Sequence, residues 1–363
     1  MKIIHADPIG SMLRPEYLLQ ARKQYQTGSL SAEKFKELED KAVNECISIQ
    51  EGAGFKIISD GEMRRGVFAD QIVQSTNGFG KVENNQVDWF DMEGNRTEDP
   101  VTVGLVKKLS RTRFPAVEEF SYLRGRTETA IKVTVPSPTM YAYYWVPGIS
   151  DKVYNSTDAY LEDVTLFIHE EITELIRQGA TYIQFDAPEL GMMVDPHQQE
   201  WFRSKGFETN STIQKGVELM NSIIESHPQV IFGLHVCKGN DKNRYMAKGG
   251  YNPVAPMIFP KTKAQVLLLE YDDMRSGDFK PLQHVPENKT VVLGLISTKR
   301  KKLESVDDLT KRIEDASTYI PLERLAISTQ CGFASVAEGN NLSFTDQEAK
   351  LKLVVEMARL FWK

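Results

Sequence analysis

Eight times along this chain a short β-branched or apolar run ends in polar or glycine residues, and a helix-like stretch or a longer connection follows. The runs are KIIHADPIGS (2–11), FKIISDGE (55–62), AIKVTVPSP (130–138), ATYIQFDAPE (180–189), QVIFGLHVCKG (229–239), AQVLLLEYDD (264–273), TVVLGLISTK (290–299) and RLAISTQCGF (324–333). Near-continuous apolar strands alternating with helices build parallel sheets covered on both faces, because each crossover carries a helix over the sheet. Eight such units predict a closed (β/α)8 TIM barrel. An open doubly wound sheet is the rival, but no GxGxxG follows the first run. No sequence repeat of fixed length accompanies the pattern.

The segments between the runs carry helix signals. SAEKFKELEDKAVNECISIQEGAG opens on Ser31 with Glu33 early, and closes on Gly52 and Gly54. STDAYLEDVTLFIHEEITELIRQGA ends on Gly179, SVDDLTKRIEDASTYI lies between the seventh and eighth runs, and TDQEAKLKLVVEMARLF closes the chain. Two segments break the rhythm. Residues 75–129, rich in Asn, Asp, Glu and Gly, read as an insertion after the second strand, and Pro196–Glu208 as a shorter one after the fourth. Neither is large enough to be a separate domain. Residues 1–363 are therefore predicted to form one catalytic barrel, with 75–129 inserted in it; such barrels run to about 250 residues and beyond.

Several function classes drop out. The net charge is -6 and the basic run Lys299–Lys302 stops there, so nucleic-acid binding is not expected. No apolar run approaches the ~20 residues of a membrane span. The opening MKIIHADPIGSM has no long apolar stretch, so no signal peptide is expected. Three cysteines, Cys46, Cys237 and Cys331, cannot make a disulfide framework and fit a reducing cytoplasm. The sequence is compatible with assembly as a homo-oligomer.

In a barrel of this kind the C-terminal ends of the strands share one rim, and active sites sit there. That rim collects Asp60 and Glu62, Asp186 and Glu189, His235 and Cys237, Glu270 with Asp272 and Asp273, Ser297 and Lys299, and Gln330 and Cys331. Alternate residues of a strand face the same side, so His235 and Cys237 point the same way. A buried cysteine is ordinarily a small hydrophobe, as Cys46 within KAVNECISI is expected to be. A carboxylate that follows the apolar residues of LLLEYDD needs a partner. His235, Cys237, Glu270 and Cys331, converging over one barrel mouth, predict a Zn2+ site.

The chain resembles the C-terminal catalytic barrel of cobalamin-independent methionine synthase, in particular the short, single-barrel members of that family. The resemblance runs over nearly the whole chain and is carried by PIGS (8–11), SDGE (59–62), QFDAPEL (184–190), HVC (235–237), LLLEYDD (267–273) and STQCG (328–332) in that order. It implies zinc on the four residues named above. It also implies that Glu62 and Asp186 hold the amino group of homocysteine, and that Ile9 to Ser11 bind its carboxylate. The implied reaction is methylation of the homocysteine thiol to methionine: the metal binds and deprotonates the sulfur, which then attacks a methyl carbon, with Glu270 as a displaceable ligand.

The methyl-donor side departs from the family pattern. Long members carry a second barrel that helps bind a polyglutamyl folate, and 363 residues leave no room for it. Where the family has a histidine after the seventh strand, GLISTKRKKLES puts Lys299 closest, as a candidate to bind an anionic donor or protonate a leaving group. Where it has a folate-stacking tryptophan after the third, PTMYAYYW puts Tyr143, with Trp145 two residues on. The expected donor is a methylated folate or another methyl carrier. Two alternatives stand beside this reading. One is alkyl transfer to another thiol of the coenzyme M type; the other is a non-catalytic zinc or thiol-pair protein.

Overall fold

The structure is a computed structural model that describes residues 4–83 and 85–362. Strand β1 (Ile57–Ile58) is followed by four strands within the 75–129 segment: β2 (Phe79–Lys81), β3 (Gln86–Phe90), β4 (Arg96–Pro100) and β5 (Val103–Leu105). The chain continues with β6 (Ala130–Ile131), β7 (Val133–Pro136), β8 (Tyr182–Asp186), β9 (Ile231–Val236), β10 (Val266–Glu270), β11 (Thr290–Ile296) and β12 (Leu325–Thr329).

Strands β7 to β12 form one six-stranded parallel sheet in chain order. β1 pairs in parallel with β6, which runs on through Lys132 into β7. At the far edge Ala6 makes a parallel bridge to Ile327 of β12. The N-terminal segment then meets the loop after β1: Met12 N–H donates to the Gly61 carbonyl at 3.0 Å, and Ser59 Oγ to the Gly10 carbonyl at 2.9 Å. This is an α/β fold of the TIM-barrel type. It differs from the expected closed eight-strand ladder at the first run. There the described residues form a single bridge and no strand; Lys2 and Ile3 lie outside them. Pro8 has no N–H to give a ladder, which limits pairing along HADPIG.

β10 and β11 are buried at every position, as strands covered on both faces must be. Ile57, Tyr182, Val266, Leu268, Val292 and Ala326 meet Ile9 in an inner cluster of their own, separate from the larger core shared with the helices. The expected helices are present. Ala32–Ala53 is capped by the Ser31 side chain and stopped by Gly54 at φ 95°. Thr157–Arg177, Val306–Ser317 and Phe344–Phe361 start from Ser156, Ser305 and Ser343, whose side chains accept the orphan N–H groups of the first turn.

The 75–129 segment is more ordered than its composition suggests. It holds two antiparallel pairs, β2 with β5 and β3 with β4, and a helix at Pro115–Arg124. Phe90 bridges to Tyr245, and Trp201 Nε1, on the Pro196–Ser204 helix of the shorter insertion, donates to the Gln86 carbonyl at 2.8 Å. No helix among the described residues is long and apolar enough to cross a membrane.

Candidate metal centre and substrate cavity

A cavity of about 620 Å3 opens at the C-terminal ends of the parallel strands. Its floor carries Glu62, Asp186, His235, Cys237 and Cys331, with Ile9 and Ser11 to one side. Both β3–β5 and the loop between them reach over it, through Val87, Trp89 and residues 99–103. The 75–129 insertion is thus a wall of this cavity.

His235 lies on β9, Cys237 one residue beyond it, and Cys331 two residues beyond β12. One donor atom from each lies within 4.8 Å of the others, and all three residues are buried. The Cys237 and Cys331 sulfurs are 3.9 Å apart. Two sulfurs on a tetrahedral zinc with Zn–S bonds of about 2.3 Å stand ~3.8 Å apart. His235 Nδ1 sits 3.2 Å from the Leu268 carbonyl, which accepts the Nδ1 proton and leaves Nε2, buried and without a protein partner, as the free lone pair. Donor set, spacing and orphaned nitrogen all fit zinc. Their mutual contact holds the Cys331 thiol well below its ordinary value and the Cys237 thiol well above.

Glu270 is not in this group. It is fully buried, and its Oε1 pairs with Arg275 and lies 3.7 Å from Lys299 Nζ. Its Oε2 accepts the Lys238 N–H at 2.8 Å. Burial alone would raise its pKa; Lys299, Arg275 and Lys238 outweigh that and hold it well below the carboxylate range.

The ammonium-binding candidates are two carboxylates with spare capacity. Glu62 accepts from Thr134 Oγ1 at 2.9 Å through Oε1, while Oε2 is buried without a partner. Its backbone sits at φ 55°, a left-handed conformation that a non-glycine residue adopts only when its surroundings enforce it. The enforcement is visible. Asp60 Oδ1 accepts the Glu62 N–H at 3.0 Å, and Arg14 Nη2 donates to the Glu62 carbonyl at 2.6 Å. Asp186, at the end of β8, is pushed up to about 7 by burial and by the charge of Glu62, against the pull of His235. Ser11 packs against Gly332, where an added Cβ would stand 2.0 Å from Ser11 Oγ.

Tyr143 lines the cavity, stacked on Trp201 at 4.7 Å. Trp145 and Lys299 do not line it. Trp145 is buried against Tyr160, and Lys299 is turned toward Glu270. Pro138–Tyr144 is a 3-10 helix, so a residue two positions on from Tyr143 faces another side.

Three supporting residues escaped the sequence reading. Arg14 clamps three loops at once, donating to the carbonyls of Met12 (3.0 Å), Ala334 (2.5 Å) and Glu62. Arg65 pairs with Glu119 of the insertion at 2.8 Å and lies 3.6 Å from Glu62 Oε1. Arg275 holds Glu270. Each is an ordinary surface residue type in a polar loop, and only burial distinguishes it. Asn240 Nδ2 and Thr298 Oγ1 both donate to the Gly332 carbonyl, at 2.7 and 3.0 Å, and fix the loop that carries Cys331.

A parallel α/β sheet brings a histidine and two cysteines together at its strand ends, a donor set that suits a metal, beside paired carboxylates and at the rim where barrel enzymes place their sites. The chain belongs to the cobalamin-independent synthase family, catalytic domain, whose model matches residues 5–360. It is 31% identical over 361 residues to the uncharacterized protein YxjG of Bacillus subtilis, covering 99% of this chain and 94% of that one. It is 25% identical over 333 residues to the methionine synthase of Pyrococcus abyssi, covering 92% and 87%. Its fold matches a B12-independent methionine synthase from Shewanella sp. W3-18-1, solved with selenomethionine. That match has a TM-score of 0.74 at 18% identity and covers 99% and 98% of the two chains. The family and its relatives point to methyl transfer of the methionine-synthase kind.

Proposed function

We propose that this protein is a zinc-dependent methyltransferase that methylates the thiol of homocysteine to give methionine, with a methylated folate or another methyl carrier as donor. The observation that carries this reading is the opening of two unlike sets of groups into one cavity. His235, Cys237 and Cys331 suit zinc, and Glu62 with Asp186 suits an ammonium. Bound to that triad, with Glu270 as a fourth, displaceable ligand, zinc would lower the pKa of the substrate thiol and hold its sulfur as the thiolate nucleophile.

The other roles fall to the chain itself. The free Oε2 of Glu62 and the carboxylate of Asp186 would take the homocysteine ammonium in charge-assisted hydrogen bonds. The Ile9 to Ser11 segment, whose Ile9 and Ser11 line the same cavity, would receive its carboxylate. Tyr143 and Trp89 bound the outer part, where the methyl donor would enter. A thiol carrying a sulfonate and no ammonium, of the coenzyme M type, would meet Glu62 and Asp186 as like charges. The three free cysteines fit a reducing, cytoplasmic setting.

The test is the zinc X-ray absorption spectrum with and without homocysteine, alongside the metal content of wild type and Cys237→Ser. A rise from two sulfur ligands to three on adding homocysteine is expected. Bound zinc whose sulfur count never changes with any thiol would make the site structural, and a protein that takes up no zinc would end this reading.

A further inference from the structure

The buried charge cluster around Glu270 has a use that the thiol chemistry leaves unassigned. Glu270 ends β10, the strand beside that of His235, yet its carboxylate is directed to Arg275 and away from the triad. Arg275 is held from elsewhere: Nη1 donates to the Ala247 carbonyl at 3.3 Å, and the guanidinium lies over the Tyr245 ring at 4.8 Å. Asp272 and Asp273 lie 3.6 and 3.7 Å from it, so Arg275 has anchors besides Glu270. The Nζ atoms of Lys238 and Lys299 are buried with no hydrogen-bond partner, so the chamber has donors to spare whether the carboxylate stays or leaves. A buried carboxylate is tolerated only against a cation or a metal. Glu270 has cations in Arg275 and Lys299, and would gain a metal as a further partner once an ion occupies the triad.

We propose that Arg275 is a positioning residue that draws Glu270 off the metal triad and so keeps a coordination position open for the substrate sulfur. This rests on the zinc reading above and adds the device that sets its balance. Lys299, at 3.7 Å, stays beside the carboxylate in either position, and the partners that compete for its hydrogen-bonding oxygen are the ion and the guanidinium. Removing Arg275 leaves the ion as the better one, so zinc is held more tightly without thiol and the sulfur enters less readily.

The experiment measures zinc affinity of the full-length protein by competition with a chromophoric chelator, without thiol, in wild type, Arg275→Met, Glu270→Gln and the double variant. Arg275→Met is expected to bind zinc about 10- to 100-fold more tightly, the range in which groups behind metal ligands act. Glu270→Gln and the double variant are expected to bind it equally. The X-ray absorption titration should show the third sulfur arriving at higher homocysteine concentration in Arg275→Met than in wild type. Zinc affinity in Arg275→Met equal to or below that of wild type would overturn the assignment, as would a tenfold difference between Glu270→Gln and the double variant. That second comparison removes both charges and stands even where Arg275→Met alone does not fold. Absence of zinc from wild type, or of any thiol-dependent sulfur on it, refutes the underlying zinc reading before Arg275 is tested.

Discussion

The sulfur of Cys331 lies 3.9 Å from that of Cys237, although 94 residues of chain separate them. Strands β10 and β11 intervene, and the parallel register brings the ends of β9 and β12 to one rim. Cys237→Ser and Cys331→Ser are each expected to weaken zinc binding by about 100-fold or more, since a structural thiolate ligand is lost outright. Cys46→Ser, in the helix Ala32–Ala53, is expected to leave zinc content unchanged. Metal analysis after dialysis against a zinc buffer checks all three.

The paired acids predict substrate selectivity. Glu62→Gln and Asp186→Asn are each expected to cost homocysteine binding about 1.5–3 kcal/mol, the worth of a charge-assisted hydrogen bond. A thiol of similar length without the amino group is expected to bind both variants no worse than wild type. Competition titrations with the two thiols separate an ammonium site from a general loss of shape.

Arg65 joins the insertion to the floor, bonding Glu119 while facing Glu62. Breaking a buried pair by removing one partner leaves the other charge stranded, so Glu119→Ala is expected to cost about 3–5 kcal/mol of stability in urea unfolding. It is also expected to raise the homocysteine concentration needed for half-saturation, although Glu119 is absent from the cavity lining. A stability loss with unchanged thiol binding would show that Arg65 holds Glu62 without it.

Glu189 predicts a pH dependence. Its Oε1 accepts from Ser137 Oγ and Thr139 Oγ1, both at 2.6 Å, and burial pushes its carboxyl up from 4.5 to about 7. The folded state therefore binds this proton more tightly than the unfolded state. The stability it contributes is full below pH 4.5 and is lost as pH rises through 7, with a slope of at most about 1.4 kcal/mol per pH unit. Glu189→Gln is expected to flatten that slope and to be the more stable protein at pH 8. Urea unfolding at half-unit steps from pH 5 to 8 measures it.

Much of this was legible because parallel strands advertise themselves. LLLEYDD, HVC and STQCG are apolar runs that end in donors, and the alternation of a strand was enough to point His235 and Cys237 together. Ser31 marked the start of its helix for the same local reason. The misses are non-local. The first run looks apolar but carries Pro8, and among the described residues it bridges only at Ala6. Trp145 resembles a stacking residue until the 3-10 turn rotates it away from Tyr143. Lys299 looked like a rim cation, and only packing shows that it faces Glu270. The β3–β4 hairpin of 75–129 hides in a polar composition because it is a half-exposed wall that needs little apolar sequence.

Those walls separate two jobs within one cavity. The floor that would grip zinc and homocysteine grows from the C-terminal ends of the parallel strands and the loops that leave them. The roof, with Trp89 and Val101, grows from short antiparallel ribbons that form sheets of their own. Evolution can therefore redecorate or resize the roof at small risk to the floor. Homologues sharing the His, Cys, Cys floor should differ chiefly in the ribbons, and a chimaera exchanging only residues 79–105, which leaves Glu119 and its bond to Arg65 in place, should inherit its methyl donor from the graft and its thiol from the host.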